Sequence, residues 1–144
     1  MEVSDKDRSN IGMKILLNIC TPLVIGGALY YYYCPDVLFV KLLDKIFVPF
    51  HSTEIVTDLP LLRCYIFDLL WAYSLFFSVY YFIGSELGLS KLLLIVILFE
   101  TIIETIQLIP AIPGTFDPYD LLLELLLNLF VIKIIQISRR NNYE

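Results

Sequence analysis

The stretch Leu92–Ile112, LLLIVILFETIIETIQLIPAI, decides the fold. A bilayer core about 30 Å thick takes roughly 20 apolar residues in helix, and this run is long enough before Pro110 and Pro113 stop it. Glu100, Glu104 and Gln107 interrupt it at spacings of four and three, which puts all three on one helical face. Carboxylates at such depth are costly, so they turn to the interior of a bundle, pair with something, or mark a site. The pattern therefore predicts a membrane helix with a polar seam facing other helices.

The next stretch repeats the arrangement. In GTFDPYDLLLELLLNLFVIKIIQIS, from Gly114 to Ser138, Asp117 is placed as an N-cap and Pro118 at the first helical position. Asp117, Asp120, Glu124 and Asn128 follow at spacings of three, four and four, again on one face. Two further runs are apolar enough to cross. Ile15–Tyr33 carries Pro22 and Gly26-Gly27, which membrane helices tolerate, and ends in a belt of four tyrosines. Cys64–Gly84 is rich in aromatics and contains Asp68.

The composition agrees. Of 144 residues, 58% are hydrophobic and 17% charged, against about 45–50% and about 25% in ordinary soluble domains. The mean hydropathy is +0.77. The length fits one domain. The expectation is a single all-α, polytopic membrane domain over residues 1–144, with spans at about 15–33, 64–84, 92–112 and 121–138. Met1–Asn10 mixes acidic and basic residues and is followed by no cleavage site, so the first span is expected to remain in the mature protein.

In the first loop, Val37–Val48 places Lys41, Asp44 and Lys45 on one helical face and apolar residues on the other. That fits a short interfacial helix, with Val40 towards the lipid headgroups. A helix packed on the outer ends of the bundle fits equally. Orientation follows from Lys/Arg bias. Lys6, Arg8, Lys14, Lys91, Arg139 and Arg140 fall on one side, Lys41, Lys45 and Arg63 on the other. Both termini are thus expected in the cytoplasm, and the protein in a bacterial plasma membrane.

Topology brings the polar residues together. The start of span two, the end of span three and the start of span four share one side of the membrane. Asp68 is about 6 Å from its end, Glu104 about 12 Å, Asp120 about 3 Å and Glu124 about 9 Å, with Glu100 and Asn128 deepest. Arg63, Asp68, Glu100, Glu104, Gln107, Asp117, Asp120, Glu124 and Asn128 are therefore expected to line an acidic cup on the non-cytoplasmic side, near His51. Simpler roles compete: Asp117 and Asp120 as helix caps, Asp68 paired with Arg63, and Gln107 and Asn128 as interhelical hydrogen-bond partners. Glu104 and Glu124 have no Lys or Arg at their depth; one is protonated, or the two share a proton or cation.

Other classes find little support. The net charge of −5 argues against nucleic acid. Cys20, Cys34 and Cys64 form no C-x-x-C pair, although Cys34 and Cys64 share a boundary where a disulfide is an alternative to free thiols. There is one His, no nucleophile–His–Asp set and no H-E-x-x-H, so catalysis has the weakest support among the functions, and no cofactor is expected.

Leu59-Pro60 with RCYIFDLLWAYSL (Arg63–Leu75), Phe99-Glu100 with Gln107, and GTFDPYD (Gly114–Asp120) together resemble the VanZ-like family of small bacterial membrane proteins. The resemblance covers about half the chain, from Leu59 to Asn128. Glu124 stands where that family often has Asn or Tyr, and Leu127 where it commonly has Gly. What the resemblance implies is a four-span fold and a cell-envelope role, through a founding member associated with glycopeptide (teicoplanin) resistance. Three functions stay open. One is a non-enzymatic envelope protein whose acidic cup binds or shields an envelope component or the glycopeptide. Another is a cation- or proton-coupled carrier working as a homodimer, because four helices make a narrow bundle. The last, with least support, is a membrane enzyme acting on lipid-linked substrates through carboxylate-held Mg²⁺.

Overall fold

The computed structural model describes residues 12–33, 38–46, 60–84, 87–109 and 116–141, with side chains at 38–39 and 60–64 excepted. His51, Cys34, Gly114 and Thr115 lie outside the described residues, as do the side chains of Arg63 and Cys64. The described chain is helical with no strand: α1 (Gly12–Tyr33), α2 (Leu38–Leu43), α3 (Pro60–Phe82), α4 (Leu89–Ile106) and α5 (Pro118–Asn141).

Three of these helices, α1, α5 and the Tyr65–Phe82 part of α3, are long and apolar enough to cross a membrane. Helix α4 is the exception. Its 18 residues reach about 27 Å, and it carries Lys91, Glu100 and Glu104. It ends at Ile106 rather than Ile112, because the chain tightens into successive turns before Pro110. Leu108 N–H donates to Thr105 O at 3.1 Å and Ile109 N–H to Ile106 O at 3.0 Å, and the residue preceding a proline is pushed out of the helical region.

Helix α1 is irregular for a local reason. Over Leu16–Cys20 the backbone widens into a π-helical turn, with Thr21 N–H bonded to Leu16 O. The widened turn lies directly before Pro22, which has no N–H and whose ring would strike the carbonyl four residues back. Thr21 Oγ1 adds a second bond to Leu16 O at 2.9 Å. Helix α5 begins as its sequence suggests: Asp117 Oδ1 accepts the Tyr119 N–H at 2.9 Å, ahead of Pro118 in the first turn. Arg139 and Arg140 close its last turn, where cations suit the negative end of the helix dipole.

Helix α3 is the hub, packing against α1, α4 and α5. Its outward neighbours are covered with exposed apolar side chains, such as Val24 on α1 (69% exposed) and Phe130 on α5 (64%). Between the helices Phe76, Leu92, Val96, Val131 and Ile132 form the buried apolar core. This core occupies the half of the bundle that holds the end of α3 and the start of α4. The turn between them needs glycine at position 84: a Cβ there would sit 2.6 Å from Leu92 Cδ1 and 2.8 Å from Tyr80 O.

At the same end, polar ties stitch α1 to α3. Asn18 Nδ2 donates to Tyr81 OH at 3.2 Å and to Lys14 O at 3.0 Å, and Tyr73 OH donates to Asn18 Oδ1 at 2.8 Å. Ser74 Oγ reaches Ile19 O at 3.3 Å and Leu70 O at 2.8 Å. Arg139 Nη2 donates to Tyr80 OH at 3.2 Å, bringing the end of α5 alongside the end of α3. Helices in lipid gain little from burying apolar surface against each other, so close packing and such bonds carry the association.

Helix α2 is shorter than the Val37–Val48 expectation, with a turn from Asp44 to Ile46 and nothing described beyond it. Val40 is fully buried, on the wall of a pocket that α1 and α3 also line, rather than turned to lipid headgroups, while Lys41 is exposed. Tyr31 OH donates to Asp44 Oδ1 at 2.6 Å and holds the segment down. Val40 and the small side of α1, at Gly26 and Gly27, line the same pocket.

Candidate functional site: a buried carboxylate cluster

Glu100 and Glu104 sit one turn apart on α4, and Glu124 and Asn128 one turn apart on α5. All four are buried, at 2%, 6%, 3% and 0% exposure. The two polar faces meet directly. Asn128 Nδ2 donates to both carboxylate oxygens of Glu100, at 2.9 and 3.0 Å, an interhelical pair. Gln107, by contrast, bonds within its own helix: its Nε2 donates to Glu104 Oε1 at 3.1 Å. Geometry explains the difference, since Gln107 already lies in the C-terminal turn of α4, three residues after Glu104.

The remaining acidic residues surround this floor as a partly exposed rim. Glu124 is within electrostatic range of Glu100, Asp68, Glu104 and Asp120. Asp68, half-buried on α3, is within range of Asp120, Glu104 and Asp117. Six carboxylates from three helices therefore gather at one end of the bundle, opposite the Asn18 network and Arg139. Asp117 is tied up as the cap of α5. Arg63 falls in the first turn of α3, and its side chain is outside the described residues.

The cluster is short of donors. Glu104 Oε2, Glu124 Oε2 and Asn128 Oδ1 are buried and accept no hydrogen bond from the described residues. Leaving a buried acceptor unmatched costs about 1–3 kcal/mol, more when it is charged. An all-acceptor pocket is chemically suited to a proton, a cation or a donor group from a ligand. Among the described residues no three His, Cys, Asp or Glu side chains form a metal-holding group. Sequence reasoning passed over Asn18, whose place in an apolar run was the available signal, and the lateral pocket beside Asp68. No family model, curated protein or solved structure matches the chain.

Proposed function

We propose that this chain is a four-span protein of the bacterial plasma membrane, with α4 as the remaining span, that binds a cationic group of a cell-envelope component at Glu104 and Glu124. The supporting observation is the surplus of buried acceptors: two glutamate oxygens and the Asn128 amide oxygen with no donor among the described residues. Burial favours a compact cation over a large ligand seated on an open surface. The resemblance to VanZ-like proteins supports an envelope role, with glycopeptide resistance as its phenotype. Both termini lie in the cytoplasm on this reading, so the cluster draws its ligand from the outer side.

The same burial favours a second reading, a cation- or proton-coupled carrier acting as a homodimer. Calorimetric titration of the purified protein with methylammonium, Na⁺ and Mg²⁺ in separate runs tests the site. Binding of at least one cation, lost in both Glu104→Gln and Glu124→Gln while each variant stays monodisperse, supports it. A wild-type protein that takes none of the three, or variants that bind as well as wild type, would overturn it. Cation flux in proteoliposomes separates the carrier from the binder.

A further inference from the structure

A second feature lies outside the buried cluster. Between α1 and α3 is a lateral pocket of about 300 Å³, lined by Leu23, Gly26 and Gly27 on one side and Phe67, Leu70 and Trp71 on the other. That is the lower end of the roughly 300–1,000 Å³ range of small-molecule sites. Its walls are almost wholly apolar, and among the described residues Asp68 is the one charged side chain lining it.

The pocket has a polar end and an apolar end, in the order a membrane would set. Tyr30 and Tyr31 line it near the C-terminus of α1, and Asp68 lines it near the start of the apolar part of α3. Pro22 and Leu23 lie about 12 Å deeper along α1, and Trp71 deeper along α3. At the shallow end the rings of Tyr30 and Phe67 meet edge to face, with centroids 5.2 Å apart. A carboxylate beside aromatic rings is the chemistry that holds an ammonium group, by charge and by cation–π attraction. The two glycines let the deeper part accept a chain: no atom lies within 4 Å of a Cβ built on Gly27, and only Leu70 lies near one built on Gly26.

We propose that this pocket binds a membrane lipid with an ammonium headgroup. The ammonium sits at Asp68 among Tyr30 and Phe67, and one acyl chain runs down past Gly26 and Gly27 towards Trp71. Charge complementarity singles out this occupant over an anionic lipid, whose headgroup would face Asp68 and the carboxylates of Asp120 and Glu104 beyond it. The inference rests on membrane embedding and does not depend on cation binding at Glu104 and Glu124.

Trp71 is the only tryptophan in the chain and lines this pocket, with its ring stacked on Phe99 of α4 at 6.3 Å, so its fluorescence comes from one known position on the pocket wall. The protein is reconstituted in vesicles of unlabelled digalactosyldiacylglycerol, a neutral lipid with no ammonium group, doped with phosphatidylethanolamine or phosphatidylglycerol brominated on the acyl chain. The expected result is at least twofold stronger quenching by the ethanolamine lipid. Asp68→Asn should bring the two lipids level, and Gly27→Leu, which fills the pocket without a backbone clash, should weaken quenching by the ethanolamine lipid. Equal quenching by both lipids in the wild type would overturn the proposal, as would a preference that survives both substitutions. Glu124→Gln is the control: the lipid preference persists there even where cation binding is lost.

Discussion

The bond between Asn128 and Glu100 can be cut from either side, and the two cuts should not add. Asn128→Leu removes the one Nδ2 that donates to both Glu100 oxygens, at 2.9 and 3.0 Å, and leaves a carboxyl group 2% exposed with no donor among the described residues. Glu100→Leu strands the Asn128 amide, which is fully buried and whose Oδ1 already lacks a donor. Each single change leaves a buried polar group unmatched, at about 1–3 kcal/mol. Interhelical bonds in membranes average nearer ~0.6 kcal/mol with a maximum near ~1.7, so the lower part of that range is expected. The double change exchanges both partners for apolar groups and abolishes the orphaned amide oxygen as well. Such exchanges come out close to neutral. Steric trapping in bicelles measures the three unfolding free energies. The expected coupling is about 1–3 kcal/mol, with the double variant more stable than either single one. A double variant whose loss equals the sum of the two single losses would refute the pairing as an energetic unit.

Two further outcomes follow from the described geometry. Gly84→Ala should destabilise the α3–α4 turn by about 1–3 kcal/mol, because its Cβ would lie 2.6 Å from Leu92 Cδ1 and 2.8 Å from Tyr80 O; unchanged stability in the same assay would contradict that close approach. Alkaline phosphatase fused after Glu144 should be inactive in a bacterial host if, as proposed, the side of Lys14, Lys91, Arg139 and Arg140 is cytoplasmic; an active fusion would invert the orientation and turn the acidic end inward.

Much of the fold was legible because apolar runs and prolines are local signals. The cap at Asp117, the proline at the start of α5 and the shared faces of Glu100 with Glu104 and of Glu124 with Asn128 follow from spacing alone. The meeting of α4 with α5 followed from topology, since a short connection forces them antiparallel. What spacing could not give is partnership. Whether Gln107 reached across the bundle or back to Glu104 depends on where α4 stops, and the helix ends at Ile106, ahead of Pro110, although the largely apolar run continues to Ile112. Val40 is buried rather than turned outward, which the pattern within Val37–Val48 left open. The π-helical turn at Leu16–Cys20 was not foreseen from Pro22, which was read only as tolerated, and the bonds of Asn18 to Tyr73 and Tyr81 depend on side chains 55 and 63 residues away.

The contrast between the two polar regions bears on which of them is functional. At the Asn18 end donors and acceptors balance. Asn18 gives both of its amide hydrogens and takes one from Tyr73, Ser74 gives its hydroxyl to backbone carbonyls, and Arg139 caps Tyr80. A balanced network needs nothing further and explains itself as a tie between helices. At the other end acceptors outnumber donors, and the excess is buried in two glutamates and one amide. Glutamine at 104 and 124 would have supplied donors and acceptors alike and would hold the helices together at least as well. Helix association alone therefore gives no reason for carboxylates there, in a medium where each is costly. Their chemistry acquires a purpose when a positive group or a proton arrives from outside the chain, and that is why the acidic end, and not the self-satisfied Asn18 network, carries the functional reading.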